Sequence, residues 1–477
     1  MMNDLAHGQA MARINALIDE NSFVEIGSMV TARATDFNMQ SKDTPSDGVI
    51  TGYGLIDGSL VYVYSQDASV LGGAIGEMHA RKILRVYEMA VKVGAPVIAL
   101  VDCAGVRLQE AMDSLNAFGE IYMSQAKASG VIPQITAVFG TCGGGMGISA
   151  GMSDFTFVAN DGRLFINAPN TLDGNNQSNN DTASAANAAK WGVADFTGSE
   201  GEVISGIRQL TIMLASDWID CNDNLNRLCE DIINCKEDTL IAASRIADNG
   251  VVMEVKEGYA KEMVTAFVRL NGMTAGIIAN RTKVYDDNMN VSDEFDGTLT
   301  AAGMKKAARF VNICDAFHIP VVTLTNAAGF KATVKEEERL APAASKLTYA
   351  FANATVPKIN VIIGKAVGSA YNVMNSKALG ADMVYAWPDA EIGVMDAKNA
   401  VGIIYADEID KAEDKTSFIA EKRAEYEKLK TSTMSAAKRG YVDAIIQPVD
   451  TRKYIIGALE MLFTKEGEPA YKKHGTI

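Results

Sequence analysis

Two kinds of apolar run alternate along the chain. Residues at helical spacing mark Glu77 to Val93, Ser114 to Ser129, Ala302 to Phe317 and Ala343 to Ala354 as amphipathic helices. Between them lie short continuous apolar runs, each opened by a proline. They are Val97 to Val101 after Pro96, Ile135 to Phe139 after Pro133, Val321 to Leu324 after Pro320, and Ile359 to Ile363 after Pro357. Such β-branched runs read as strands buried on both faces. Strands alternating with helices predict an α/β layering. Asp57-Gly58 and Asn271-Gly272, each set between apolar segments, predict two hairpins.

The pattern repeats. Ala95 to Gly105 matches Ile319 to Gly329 at an offset of 224 (319 − 95), and Pro133 matches Pro357 at the same offset (357 − 133). One register held across two strands and the helix between them marks a duplication. Two halves are expected, residues 1–225 and 226–477, with their boundary in the stretch 217–237. Ser178 to Ala189, rich in Asn, Ser and Ala, is read either as a lid over a site or as a plain surface loop. Ala412 to Arg439 is read as one charged helix, serving as a solvated face or a subunit contact.

Composition narrows the function. A net charge of −15 over 477 residues disfavours nucleic acid and anionic membranes as partners. The N-terminus shows no secretory signal pattern and no apolar run is long enough to span a bilayer, so a cytoplasmic protein with reduced thiols is expected. None of the six cysteines forms a Cys-x-x-Cys pair, and only four histidines occur, His7, His79, His318 and His474. No metal site is expected from that set.

Candidate chemistry gathers where strands meet helices. Gly140 to Gly147 follows the second strand of the first half, and Gly364 to Tyr371 stands at the same place in the second. Glycines let backbone N–H groups approach an oxygen closely, and a helix start adds partial positive charge. The pair therefore reads as two oxyanion cradles, or else as tight helix-on-sheet packing. Gly147-Ile148-Ser149-Ala150-Gly151 spells a nucleophile elbow, but Ser149 falls beyond the turn such a serine must occupy. Asp102, Arg107, Gln109 and Glu110 cluster after the first strand; Arg107 is open to holding a phosphate or to pairing with Glu110.

The chain resembles the carboxyltransferase subunits of biotin-dependent acyl-CoA carboxylases and decarboxylases, of the propionyl-CoA carboxylase and methylmalonyl-CoA decarboxylase type. The resemblance runs from about Ala12 to the C-terminus. Asp47 to Gly54, Ser65 to Asp67, Glu77 to Ala80, Gly94 to Ile98, Ala104 to Glu110 and Ser129 to Ile135 carry it in the first half. Lys306 to Val311, Cys314 to Phe317, Ala354 to Ile359, Tyr385 to Pro388 and Arg439 to Asp443 carry it in the second.

The resemblance implies two duplicated crotonase-type halves, each a ββα superhelix, in a homo-hexamer. Active sites would lie between the N-half of one subunit and the C-half of another. Gly144 and Gly145 would hold the thioester carbonyl of an acyl-CoA, and Ser369 and Ala370 the ureido oxygen of biotin. Gly105, Val106, Arg107, Gly329, Phe330 and Asn372 would contact substrate. Carboxybiotin would release CO2, the biotin anion would take the α-proton, and no side-chain base would be needed. With no biotin-attachment sequence and no ATP-binding portion in view, a biotin carboxyl carrier protein and a biotin carboxylase or membrane decarboxylase subunit would be separate chains. The chain departs from the family pattern at Cys103 to Arg107, at Ala366 to Asn372, after Phe330 and at Asn167 to Pro169. The Asp matching Asn372 is tied to acyl-chain selection, so an altered acyl pocket is implied. Two other readings stand beside this one. One is a degenerate, non-catalytic scaffold paralogue; the other is a biotin-independent hydratase or isomerase, which would need a placed carboxylate.

Overall fold

A computed structural model describes residues 8–34, 36–215, 218–286 and 288–467; His7 and His474 lie outside them. The chain divides into two compact units, Met1–Ala215 with Lys256–Tyr259, and Ser216–Val255 with Ala260–Ile477.

In the first unit a hairpin, β1 (Val49–Ile56) and β2 (Ser59–Gln66), turns on Asp57 and Gly58, both at positive φ. That is the conformation the Asp-Gly pair favours. Helix α1 (Glu77–Val93) crosses to β3 (Val97–Cys103), and α2 (Met112–Ala128) crosses to β4 (Gln134–Gly143). A short helix α3 (Gly145–Gly151) then leads to β5 (Phe155–Ala159) and β6 (Arg163–Phe165). Strands β2 to β5 are parallel neighbours in an eight-stranded sheet, with β6 laid along the far end of β4. Val97, Ala99, Val101, Ile83, Val86 and Phe118 form part of the core between sheet and helices. The continuous apolar strands are thus covered rather than half-wet.

The second unit repeats this. Strands β7 (Met263–Leu270) and β8 (Met273–Asn280) turn on Asn271 and Gly272, again at positive φ. A small hairpin of β9 (Lys283–Tyr285) and β10 (Val291–Glu294) intervenes before α4 (Ala301–Ala316). Then come β11 (Val321–Ala327), α5 (Val334–Asn353), β12 (Lys358–Val367) and α6 (Gly368–Val373). Val97 faces Gln134 across β3 and β4, and Val321 faces Lys358 across β11 and β12. Both pairs of strands slip register at the same place, between Val101 and Cys103 and between Thr325 and Ala327. The offset is 224 from α1 to α4 (301 − 77) but 214 for the preceding hairpins (263 − 49). The second unit therefore carries 10 additional residues (224 − 214) at that point, where β9 and β10 lie.

Two helices differ from the sequence reading. Helix α5 begins at Val334, not Ala343, and runs through Pro342. The Thr333 side chain caps it by accepting from the Glu336 N–H, and Leu340, Ala343, Leu347 and Phe351 bury one face. Capping and burial outweigh the lost hydrogen bond at Pro342. The charged stretch Ala412 to Arg439 is not one helix: Lys415–Tyr426 widens into a π-turn over Glu427–Thr431, and Ser432 caps a new helix, Thr433–Lys438. The Asn-rich segment runs through turns, held by Arg163 Nη1 donating to Asp181 at 3.0 Å, into a short helix, Ala185–Lys190.

Candidate active site

The first cradle is built by β6. Its pairing with β4 sets Gly143 opposite Phe165, and the Gly144 N–H donates to the Phe165 carbonyl at 3.0 Å. Gly144 itself sits at φ 56°, ψ −119°, a conformation other residues enter only with strain. The Gly145 N–H opens helix α3 and so has no partner within the helix. Tyr122 donates its hydroxyl to the Gly145 carbonyl at 2.8 Å, and a Cβ on Gly145 would press on Phe118 and Tyr122 at 2.9 Å. Of the two amides expected to face a ligand, Gly144's is engaged by its own chain. The sequence held no sign of that bond, because three-residue β6 was not read as a strand.

The loop after β3 is pinned from behind. Asp102 accepts from the Thr141 N–H at 3.2 Å and faces Arg13 at 3.6 Å. Arg13 also pairs with Glu200 at 3.1 Å and lies 4.7 Å from the Phe139 ring centroid. Cys103 accepts from the Gly105 N–H at 3.3 Å, and burial pushes its thiol up to about 11. Val106 bridges to Ile75. Arg107 is 1% exposed, and its guanidinium donates to Asp47 at 2.7 Å, Glu110 at 2.9 Å and the Ala74 carbonyl at 2.9 Å. Its side chain thus makes the Glu110 pairing and supports the loop from within. Burial raises the Asp47 carboxyl, with Arg107 opposing the rise.

Asp47 also accepts from the His79 N–H at 2.7 Å, and its carbonyl lies 2.9 Å from His79 Nδ1. Burial, with Arg107 nearby, lowers the His79 imidazole to about 3. It is therefore neutral, with Nδ1 as donor to that carbonyl and Nε2 as acceptor from Gln66 at 3.2 Å.

The second cradle follows β12. Gly368 takes φ 62°, and Ser369 and Ala370 stand in the first turn of α6, where amides lack helical partners. A cavity of about 390 Å³ brings Gly329, Phe330, Ser369 and Ala370 together. Asn372 lies on α6 beyond the cavity wall, exposed, its carbonyl accepting from the Ser376 N–H at 3.4 Å. Asn326, which matches Asp102, accepts from the Lys365 N–H at 2.9 Å just as Asp102 does from Thr141. Arg423 and Glu427 also line this cavity, paired at 2.6 Å. They were missed because a mixed-charge helix reads as a solvated face.

The nucleophile elbow fails. Ser149 is buried within α3 and donates to Gln125 at 2.8 Å, with no access to a substrate. Among the described residues, no cluster of three or more His, Cys, Asp or Glu is placed to hold a metal, and no helix is long and apolar enough to cross a membrane.

A sheet flanked by helices, occurring twice, with a glycine-rich strand-to-helix turn in each copy, is a duplicated crotonase-type α/β fold. The carboxyl transferase domain model matches residues 5–477, and the chain belongs to that family. It is 39% identical to the methylmalonyl-CoA decarboxylase alpha subunit of Propionigenium modestum, over 98% of this chain and 92% of that one. It is also 39% identical to the propionyl-CoA carboxylase beta chain of Roseobacter denitrificans, over 99% and 95% of the two chains. A transcarboxylase 12S structure, a hexamer with methylmalonyl-coenzyme A bound, matches with a TM-score of 0.92 at 36% identity, covering 98% of this chain and 91% of that one. The chain is an enzyme, a carboxyltransferase of the propionyl-CoA carboxylase and methylmalonyl-CoA decarboxylase type. None of these relatives favours a non-catalytic scaffold.

Proposed function

We propose that the chain moves a carboxyl group between biotin borne on a separate carrier protein and the α-carbon of a short-chain acyl-CoA, of the propionyl or methylmalonyl type. The observation that carries this reading is recurrence: each half follows its central strand directly with a glycine at positive φ and then helix-opening amides.

In this reading the Gly145 N–H steadies the thioester carbonyl as it gains enolate charge, while Gly144 shapes the turn. Gly105 and Val106 border that substrate, with Arg107 buried beneath them. Ser369 and Ala370 hold the ureido oxygen, Gly329 and Phe330 wall that ring, and Asn372 bears on acyl choice. The 390 Å³ cavity beside Ser369 has room for a bicyclic ureido ring and backbone donors suited to its oxygen, which supports the fit. Biotin, when present, supplies the carboxyl group and, once relieved of it, a base for the α-proton. Preorganised amides need no reorientation as charge develops, which is their catalytic value. A hexamer, a biotin carboxyl carrier partner, a biotin carboxylase or membrane decarboxylase subunit, and a cytoplasmic setting complete the proposal. The hexameric 12S relative supports the first of these.

The test is carboxyl exchange between methylmalonyl-CoA and free biotin. Exchange is expected in the native chain and absent in Gly144→Pro. No exchange with any short malonyl-type CoA would overturn the reading.

A further inference from the structure

Beside the first cradle lies an apolar cavity of about 330 Å³. Leu164, Phe165, Ile166, Leu172, Trp191 and Val193 supply most of its wall, with Gly147 at the cradle end. Three of these side chains are left in solvent, Ile166 at 55%, Trp191 at 48% and Val193 at 45% exposed. Large apolar groups lining one hollow are costly to leave wet, and their grouping marks a place that something apolar covers. The hollow is continuous with the cradle through the backbone. Phe165, whose carbonyl holds the Gly144 N–H, is followed directly by Ile166, and a Cβ on Gly147 would lie 2.7 Å from that same carbonyl. Gly147, with no side chain, packs directly on that carbonyl and forms the cradle end of the hollow's wall.

We infer that this hollow is a binding site for the distal carbons of the acyl chain, so that the enzyme accepts linear acyl-CoAs longer than propionyl. The inference deepens the carboxyltransferase reading and rests on the Gly145 amide holding the thioester carbonyl. From Gly145 to Gly147 the helix rises about 3 Å, the span of two or three carbon–carbon bonds. The carbons of a propionyl group are spent in that distance. Those of a hexanoyl group enter the hollow, where Trp191 and Val193 close over them. Thr182 and Asn167 are the polar interruptions in the wall, and the Thr182 hydroxyl has no hydrogen-bond partner among the described residues.

The experiment compares propionyl-CoA with hexanoyl-CoA on the full chain, by calorimetric affinity and by kcat/KM for carboxyl transfer. Each methylene taken from water is worth about fourfold, so two seated in the hollow favour hexanoyl by roughly tenfold or more. In Val193→Trp, which fills the mouth, the hexanoyl-to-propionyl ratio of affinities falls to about one, and Ala188→Leu, filling from the floor, lowers it likewise. Equal affinities in the native chain, or a ratio that neither variant moves, would overturn the site. A hexanoyl preference in binding with no carboxyl transfer to either thioester would leave the site standing and remove the transferase reading beneath it.

Discussion

Acidification tests the buried polar cluster that supports the loop after β3. His79 has no exposed surface, and its imidazole is lowered from 6.5 to about 3. The unfolded chain takes up a proton near the ordinary value, whereas the folded chain refuses it until far lower pH. Stability from this group is thus full above about pH 6.5 and is lost as pH falls towards 3. A displacement of that size is worth about 5 kcal/mol over the whole window, of which about 2 kcal/mol is gone by pH 5. The assay is hydrogen exchange on the amides of α1, corrected for intrinsic rates, at pH 7, 6 and 5, in the native chain and in His79→Gln. Carboxylates titrate in both proteins and cancel in the difference. Native α1 should lose about 2 kcal/mol of protection relative to the variant between pH 7 and 5. Parallel profiles would show that His79 is either solvated or already charged in the fold, and would refute the neutral imidazole drawn between Asp47 and Gln66.

Other consequences are simpler to check. Ala111 opens α2 at φ 46°, ψ −111°, close to the geometry of Gly144, so Ala111→Gly should raise stability by about 1 kcal/mol in urea unfolding. Gly144→Ala meets open space but a strained backbone, and should cost about 1–3 kcal/mol together with at least a hundredfold in carboxyl transfer. Ser149→Ala should leave kcat within about twofold, because the hydroxyl bonds the buried side chains of Gln125 and Tyr64, and should cost about 1 kcal/mol of stability. Cys103, buried and raised to about 11, should resist iodoacetamide at pH 8 in the native chain and react once urea unfolds it.

The architecture was legible because duplication wrote it twice. Any single apolar run such as Val97 to Val101 leaves strand and buried helix undecided. Its recurrence at Val321 to Leu324, with Pro96 and Pro320 in step, settles both. The hairpin turns were legible for a local reason, since Asp57-Gly58 and Asn271-Gly272 favour one backbone shape. What escaped was set by distant partners. Strand β6 exists by pairing with β4, and that pairing occupies the Gly144 amide. The start of α5 was misplaced because Pro342 reads as a helix boundary, while the Thr333 cap and the buried Leu340 override it. For Arg107 the sequence left two partners open, and the fold chose Glu110 by closing Asp47 over the other side.

The two halves do not depend equally on the ends of the chain. Asn326 braces its neighbouring strand as a neutral amide and needs no counter-ion, whereas Asp102 does the same work as an anion facing Arg13. Arg13 comes from the helix Gly8–Leu17, so the opening residues act as a clasp on a strand that lies ninety positions further along. Trimming that helix would leave a carboxylate without its cation directly behind the first glycine turn. A shortened N-terminus would therefore weaken the first half while sparing its twin.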